Sequence, residues 1–124
     1  MKSKNNLVYW VIGIVVVLAV VIFALRGGSA GDYDVFAQCL TTSGAKMYGA
    51  YWCPHCQNQK ELFGNSWDKI DYIECSLPGG QGQTQECQLA GIQGYPTWEF
   101  GDGSRVSGEM DLKQLSSVSG CGLE

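Results

Sequence analysis

The stretch Trp52-Cys53-Pro54-His55-Cys56 decides both the fold and the chemistry that this sequence predicts. Its two cysteines are two residues apart, a spacing that lets both sulfurs lie at the start of one helix and form a reversible disulfide. The residues that follow are polar and helix-forming, and a Gly-Asn pair supplies the stop. The stretch therefore predicts a redox-active dithiol with its first cysteine at a helix N-cap.

An N-cap position changes the chemistry of Cys53. Its sulfur faces unpaired backbone N–H groups and the positive end of the helix dipole, and both stabilise a thiolate over a thiol. Pro54 suits the first helical position, and His55, when protonated, adds a positive charge that tunes the potential of the pair. A stabilised thiolate is a good leaving group from a mixed disulfide, so the motif favours an oxidant of thiols over a reductant.

Zinc binding is the structural alternative, because a Cys-x-x-Cys pair is also half of a four-ligand site. The sequence has one histidine, which lies inside the motif, and no second Cys-x-x-Cys pair. Zinc would have to recruit Cys75 and Cys87. We therefore expect no metal site and no organic cofactor.

The N-terminal segment differs in kind from the rest of the chain. Residues 7–25 form a run of nineteen residues without a charge, which fits one membrane-spanning helix. Tyr9 and Trp10 lie near its start, where aromatic rings prefer the headgroup layer. A cleaved signal peptide is the alternative, although its apolar region would be shorter. Both interpretations export the remainder of the chain.

Charges on either side of the apolar run give its orientation. Lys2 and Lys4 outnumber Arg26, which favours a cytoplasmic N-terminus and an extracytoplasmic globular part in a single-pass protein of the cell membrane. The predicted organisation is a cytoplasmic segment at 1–6, a transmembrane anchor at 7–25, a linker at 26–32 and a domain at 33–124.

The composition of the exported part limits its partners and its compartment. Residues 27–124 carry five basic and twelve acidic side chains, a net charge of −7, so nucleic acid and anionic lipid are poor partners. All six cysteines lie in this part. An even number of cysteines in a small exported domain indicates disulfides in an oxidising compartment.

Hydrophobic periodicity and turn residues predict alternating helices and strands in the domain. The predicted helices lie at 33–40, 54–63, 83–90 and 111–118, the strands at 45–51 and 70–75, and a hairpin at 97–100 and 105–107. This order, α-β-α-β-α-β-β-α, predicts an α/β fold in which helices cover both faces of a mixed sheet.

Three features together resemble the thioredoxin superfamily: an apolar strand that runs into the dithiol, a helix behind it, and Gly94-Tyr95-Pro96-Thr97 entering a hairpin. The resemblance implies a thioredoxin fold with a cis proline at Pro96 packed against the dithiol. It also implies that the backbone at Tyr95 is free to pair with an extended substrate. We accordingly expect Trp52, Tyr95, Pro96 and Thr97 to bind substrate.

Within the superfamily, residues 44–56, 60–64 and 72–75 are similar to the thioredoxin-like domain associated with bacterial vitamin K epoxide reductase homologues. That resemblance implies a partner, a quinone-linked membrane oxidase of the vitamin K epoxide reductase type, which would be a separate polypeptide here. The Cys-Pro-His-Cys tetrapeptide is also that of periplasmic DsbA-like oxidases. Motif and resemblance thus agree on the direction of disulfide transfer.

The chain departs from many thioredoxins at one position. Those proteins carry a buried acid in the strand before the motif, at a place that Met47 occupies here. Such a carboxylate would help to deprotonate the second cysteine, Cys56. Glu74 in the next strand is the candidate proton relay if its side chain points beneath the dithiol, and a solvent-facing strand glutamate is the alternative.

Four cysteines remain outside the motif. The resembling family carries two cysteines in places comparable to Cys75 and Cys87, which implies that these pair, with a second redox relay as the functional alternative. Cys39 and Cys121 would then tie the two ends of the domain together. Because sequence alone does not fix connectivity, free, intermolecular or heterologous thiols stay open for this second pair.

The sequence as a whole predicts a membrane-anchored thiol-disulfide oxidoreductase. In this hypothesis Cys53 exchanges disulfides with reduced exported proteins, Cys56 resolves the mixed disulfide, and a membrane oxidase regenerates the pair. A reductase or isomerase of the same fold is one alternative. A copper(I) chaperone that uses Cys53, Cys56 and His55 is another, since copper(I) favours soft sulfur ligands. A binding module without turnover is the third.

Overall fold

A computed structural model describes residues 3–25 and 31–123 of the chain. Two of the predicted segments lie partly outside the described residues: the linker at 26–32 and the cytoplasmic segment at 1–6. Lys2 and Arg26, whose charges predict the orientation of the apolar helix, also lie outside them. The first helix, α1, spans Ser3–Leu25. Its apolar part is long enough to cross a membrane, and among the described residues it is the only such helix.

The remaining elements follow the predicted order α-β-α-β-α-β-β-α. The helices are α2 (Asp34–Thr42), α3 (Pro54–Phe63), α4 (Gln85–Leu89) and α5 (Leu112–Ser119), and the strands are β1 (Lys46–Gly49), β2 (Tyr72–Glu74), β3 (Thr97–Glu99) and β4 (Arg105–Ser107). Short 3₁₀ helices at Gly64–Lys69 and Pro78–Gly80 join them.

The four strands form one mixed sheet in the order β2-β1-β3-β4. β1 pairs in parallel with β2, through Met47 opposite Tyr72, and antiparallel with β3, through Met47 opposite Trp98. β4 pairs antiparallel with β3 and completes the predicted hairpin. β1 is central in the sheet and buried along most of its length. Its pairing on both sides therefore fixes the position of the loop that follows Gly49.

One face of the sheet carries an aromatic core. Met47 and Trp98 are fully buried there, together with Phe63 of α3 and Phe36 of α2. The ring of Phe63 lies 6.1 Å from that of Phe36 and 6.4 Å from that of Trp98, measured between centroids, within the range of favourable aromatic pairs. This contact fixes α3, and hence the dithiol at its start, against the sheet.

A second, smaller core lies on the opposite face. Tyr48 follows Met47 in β1 and therefore points the other way, toward Cys75, Cys87 and Ile92. Cys87 belongs to α4. Helices thus cover both faces of the mixed sheet, and the predicted fold class is confirmed.

Several elements are shorter than predicted, for local reasons. β1 ends at Gly49 and not at residue 51, because the chain turns there and the N–H of Cys53 donates to the carbonyl of Ala50 at 3.0 Å. α4 begins after Thr84, whose hydroxyl accepts from the N–H of Cys87 as an N-cap. α3, by contrast, begins at Pro54 with Cys53 as its N-cap and ends at Phe63, as the sequence predicted.

Two disulfides join segments that are far apart in sequence or loosely structured. Cys39 in α2 bonds to Cys121 beyond α5 across 82 residues, and Cys75 after β2 bonds to Cys87 in α4 across 12 residues. The sulfurs of Cys75 and Cys87 are fully buried. The first bridge ties the ends of the domain together, and the second closes the glycine-rich loop between β2 and α4.

Replacing both cysteines of each bridge by alanine tests their relative contributions to stability. Loop-closure entropy predicts that Cys39→Ala with Cys121→Ala lowers the free energy of unfolding by about 4–5 kcal/mol, and Cys75→Ala with Cys87→Ala by about 3 kcal/mol. Urea unfolding of the full chain in detergent, followed by far-UV circular dichroism, measures both. A larger loss from the shorter loop would contradict the entropic account.

Candidate active site

The dithiol lies where β1 meets α3. The sulfur of Cys53 is the N-cap of α3 and accepts a hydrogen bond from the backbone N–H of Cys56 at 3.3 Å. Pro54 occupies the first turn, where its missing N–H leaves no bond unmade. The local sequence therefore directs the Cys53 sulfur to the N–H groups at the helix end.

The two cysteines differ in exposure and in acidity. Cys53 is 5% exposed to solvent, whereas Cys56 is fully buried. Burial disfavours the charged thiolate and, with a hydrogen bond to Cys53, raises the pKa of Cys56 to about 12. At neutral pH the second cysteine is thus a thiol and cannot compete for an incoming disulfide.

The Tyr95–Pro96 loop faces the dithiol. The peptide bond between these residues is cis, and Pro96 is buried at the start of β3. The Cys53 thiol donates to the carbonyl oxygen of Tyr95 at a sulfur–oxygen distance of 3.7 Å. The loop thus places backbone groups beside the sulfur that reaches the surface.

Trp52 forms the exposed wall of the site. About half of its side chain is accessible, and its ring meets the ring of Tyr95 edge-on at 6.0 Å between centroids. The indole N–H donates to the hydroxyl oxygen of Ser76 at 2.9 Å, and the hydroxyl of Tyr95 accepts from the amide of Gln83 at 2.9 Å. Both rings are therefore anchored in the loop that the Cys75–Cys87 disulfide closes.

His55 lies at the rim and is largely exposed. Its Nδ1 atom is 3.5 Å from a carboxylate oxygen of Glu109, in the segment that leads to α5. The sequence motif predicted His55 as a potential-tuning residue, and the structure adds an acidic neighbour that would form an ion pair with its protonated form. Glu109 gives no sequence signal, because nothing in the chain relates it to the motif.

Glu74 lies on β2, opposite Gly49 at the end of β1. One carboxylate oxygen accepts from the hydroxyl of Tyr72 at 2.7 Å, and the other accepts from the backbone N–H groups of Tyr51 and Ser76 at 3.2 and 2.9 Å. The carboxylate thus binds the corner that precedes Trp52, the start of the loop at Ser76, and a tyrosine. The candidate relay residue meets the site through Tyr72, which the sequence analysis did not single out.

Thr97, the fourth residue predicted to bind substrate, lies within the sheet. Its backbone pairs with Tyr48 on one side and Ser107 on the other, and its hydroxyl donates to the carbonyl of Gly94 at 2.7 Å. The side chain is 5% exposed. Thr97 fixes the geometry of the cis-proline loop, and contact with substrate stays a prediction.

The other predicted site residues come together as one cluster: Cys53, Cys56, Pro54, His55, Trp52, Tyr95, Pro96 and Glu74. Within residues 3–25 and 31–123, no group of three His, Cys, Asp or Glu side chains has the geometry to hold a metal ion. The chemistry that the arrangement supports is thiol-disulfide exchange at the sulfur of Cys53.

Comparison with known proteins supports the same chemistry. Thiol-disulfide oxidoreductase LTO1 of Arabidopsis thaliana is 42% identical to this chain over 101 residues, which cover 77% of the chain. The chain spans 27% of the length of that protein. No protein-family model matches the chain. The chain is therefore similar, over most of its length, to part of a protein that is named as a thiol-disulfide oxidoreductase.

Proposed function

We propose that this protein is a membrane-anchored, extracytoplasmic thiol-disulfide oxidoreductase that donates its Cys53–Cys56 disulfide to reduced exported proteins. The observation that carries the proposal is the position of Cys53, which combines an N-cap sulfur with an adjacent cis-proline backbone. The similarity to a thiol-disulfide oxidoreductase supports the reaction class. The apolar α1 helix supports anchoring in the cell membrane.

The reaction proceeds through one mixed disulfide. A substrate thiolate attacks the Cys53 sulfur, a new sulfur–sulfur bond forms, and Cys56 leaves as a thiolate that takes up a proton. A second substrate thiolate then attacks the substrate sulfur of the mixed disulfide and releases Cys53. The substrate loses two electrons, and the Cys53–Cys56 pair gains them.

Each residue around the pair has a distinct part in this proposal. The N-terminal N–H groups of α3 stabilise the departing Cys53 thiolate, and protonated His55 adds to that effect. The backbone beside Tyr95 pairs with the substrate chain, and the exposed face of Trp52 contacts it. Aromatic rings of this kind supply apolar contact without demanding one substrate sequence.

Regeneration requires an external oxidant. We propose a quinone-linked membrane oxidase of the vitamin K epoxide reductase type, on the basis of the resemblance in residues 44–56, 60–64 and 72–75. Cys53 would attack a disulfide of that enzyme, Cys56 would resolve the mixed disulfide, and the enzyme would pass the two electrons to quinone. The α1 anchor would keep the domain close to such a partner.

The reduction potential of the Cys53/Cys56 pair separates this function from that of a reductase. We expect a value near about −120 mV, as in DsbA, because the N-cap and His55 stabilise the reduced form. The measurement equilibrates the full chain in detergent with glutathione buffers and quantifies alkylated Cys53 by mass spectrometry, with the other four cysteines bridged. A value near about −270 mV, as in thioredoxin, would replace the oxidase with a reductase.

Alkylation of the reduced protein tests the difference between the two thiols. Burial raises the pKa of Cys56 to about 12, so at pH 8 its thiolate is scarce and iodoacetamide should modify Cys53 alone. Peptide mapping of the wild type and of Cys53→Ser checks this. Modification of Cys56 as fast as that of wild-type Cys53, in either protein, would show that burial does not protect the Cys56 thiol.

A trapping experiment tests the partner. Cys56→Ala cannot resolve a mixed disulfide, so it should accumulate one with a purified vitamin K epoxide reductase homologue in nanodiscs, visible on a non-reducing gel. Cys53→Ala is the matched control and should form none. Wild-type dithiol in large excess over the enzyme should be re-oxidised completely only when enzyme and quinone are both present. Equal re-oxidation by quinone without the enzyme would remove this partner from the proposal.

A further inference from the structure

Tyr72 is a half-buried phenol that has no part in the exchange steps of the proposed function. It stands on β2 two residues before Glu74, so both side chains lie on the same face of the sheet. Its hydroxyl donates to the Glu74 carboxylate at 2.7 Å. Burial, together with this hydrogen bond, raises the pKa of Tyr72, so the phenol remains protonated and its oxygen lone pairs remain available.

Tyr72 and Cys56 meet at Gly49, the last residue of β1. A Cβ atom at Gly49 would stand 3.1 Å from the Cys56 sulfur and 3.2 Å from the Tyr72 hydroxyl oxygen, with a ring carbon of Tyr72 at 2.8 Å. A side chain there would therefore crowd the Tyr72 ring and the Cys56 sulfur and force one of them to shift. The absence of a side chain lets both groups approach the same point of the backbone.

Lys60 adds a positive charge to this group. Its Nζ atom lies 4.2 Å from the centroid of the Tyr72 ring, a cation–π contact, and Lys60 follows Cys56 by one helical turn on α3. The ammonium opposes the effect of burial on the pKa of Cys56 by favouring its thiolate. Trp67, whose ring meets that of Tyr72 edge-on, completes the enclosure.

We infer that Tyr72 carries the proton between Cys56 and Glu74 during disulfide exchange. When Cys56 resolves a mixed disulfide, its thiol proton passes to the Tyr72 oxygen while the Tyr72 proton passes to the Glu74 carboxylate. The Cys56 thiolate then attacks the Cys53 sulfur, and the partner leaves as a thiolate. In the opposite direction, the same path returns a proton to Cys56 as it leaves.

This inference rests on the proposed function and explains why a buried thiol can react at neutral pH. With its pKa near 12, Cys56 ionises too rarely in isolation. The oxygen of Tyr72 serves as the first acceptor, and Glu74, which also faces the corner at Tyr51, serves as the second. Tyr72 thus acts on the thiol, whereas the carboxylate predicted from the sequence acts through it.

The test follows the resolution step in Tyr72→Phe, which keeps the ring and removes the hydroxyl. The reduced full chain in nanodiscs is mixed with glutathione disulfide, quenched with acid, and assayed by mass spectrometry for the Cys53–glutathione adduct. We expect the adduct to form at the wild-type rate and to decay at least about tenfold more slowly at pH 7. The difference between the decay rates of wild type and Tyr72→Phe should disappear near about pH 9.5, because hydroxide then removes the proton of Cys56 directly.

Two further variants make the result specific. Glu74→Gln keeps the shape of the side chain and removes the proton acceptor, so it should slow the decay in the same pH-dependent way. Tyr33→Phe removes another half-buried tyrosine hydroxyl, at the start of α2, and should leave the decay unchanged. A structural effect of Tyr72→Phe would instead slow the decay by the same factor at every pH.

The outcomes separate this inference from the proposed function. Wild-type decay in Tyr72→Phe, or a slowing that does not depend on pH, overturns the proton path and leaves the oxidoreductase intact. If the wild type forms no Cys53 adduct at all, the proposed function itself fails. If Tyr72→Phe does not fold, the decay profile of Glu74→Gln against Tyr33→Phe decides the question by the same criterion.

Discussion

The hydrogen bond from the backbone N–H of Cys56 to the sulfur of Cys53 is the contact on which the rest of the site depends. It exists because β1 ends at Gly49 and the chain turns at once into α3. The sheet holds the start of that turn, and Phe63 packs the far end of α3 against Trp98. The position of the Cys53 sulfur at the N-terminus of α3 is thus fixed by the sheet at one end and by the buried end of α3 at the other.

The sequence was sufficient to predict the element order, the mixed sheet and the N-cap position of Cys53, because each has a local signal. Cysteine spacing, Pro54 and the apolar strand before them all act within one helical turn. The ends of the strands were less predictable. β1 and β2 end where the backbone stops pairing with the neighbouring strand, and the side-chain pattern does not show where this happens. The long apolar helix α1 was evident from length and apolarity alone.

The site was predictable only in part, for a physical reason. Tyr72 and Glu74 share a face by the alternation of β2, but their approach to Cys56 depends on the parallel pairing of β2 with β1. That pairing is a non-local contact. Glu109 reaches His55 from the segment before α5, again through tertiary structure. Neither relationship leaves a signal within a single stretch of sequence.

The bridge between Cys39 and Cys121 makes the domain a covalent ring that encloses nearly all of its secondary structure. A protease that cuts one peptide bond between these residues leaves both products joined. Because α1 precedes the ring on the same chain, the distal product also stays attached to the helix that can enter a membrane. Cuts within the ring would release part of the dithiol region only if two are made, or if one is combined with reduction of the bridge at Cys39, which lies at the surface. A single cut between α1 and Cys39 would instead release the ring as one piece.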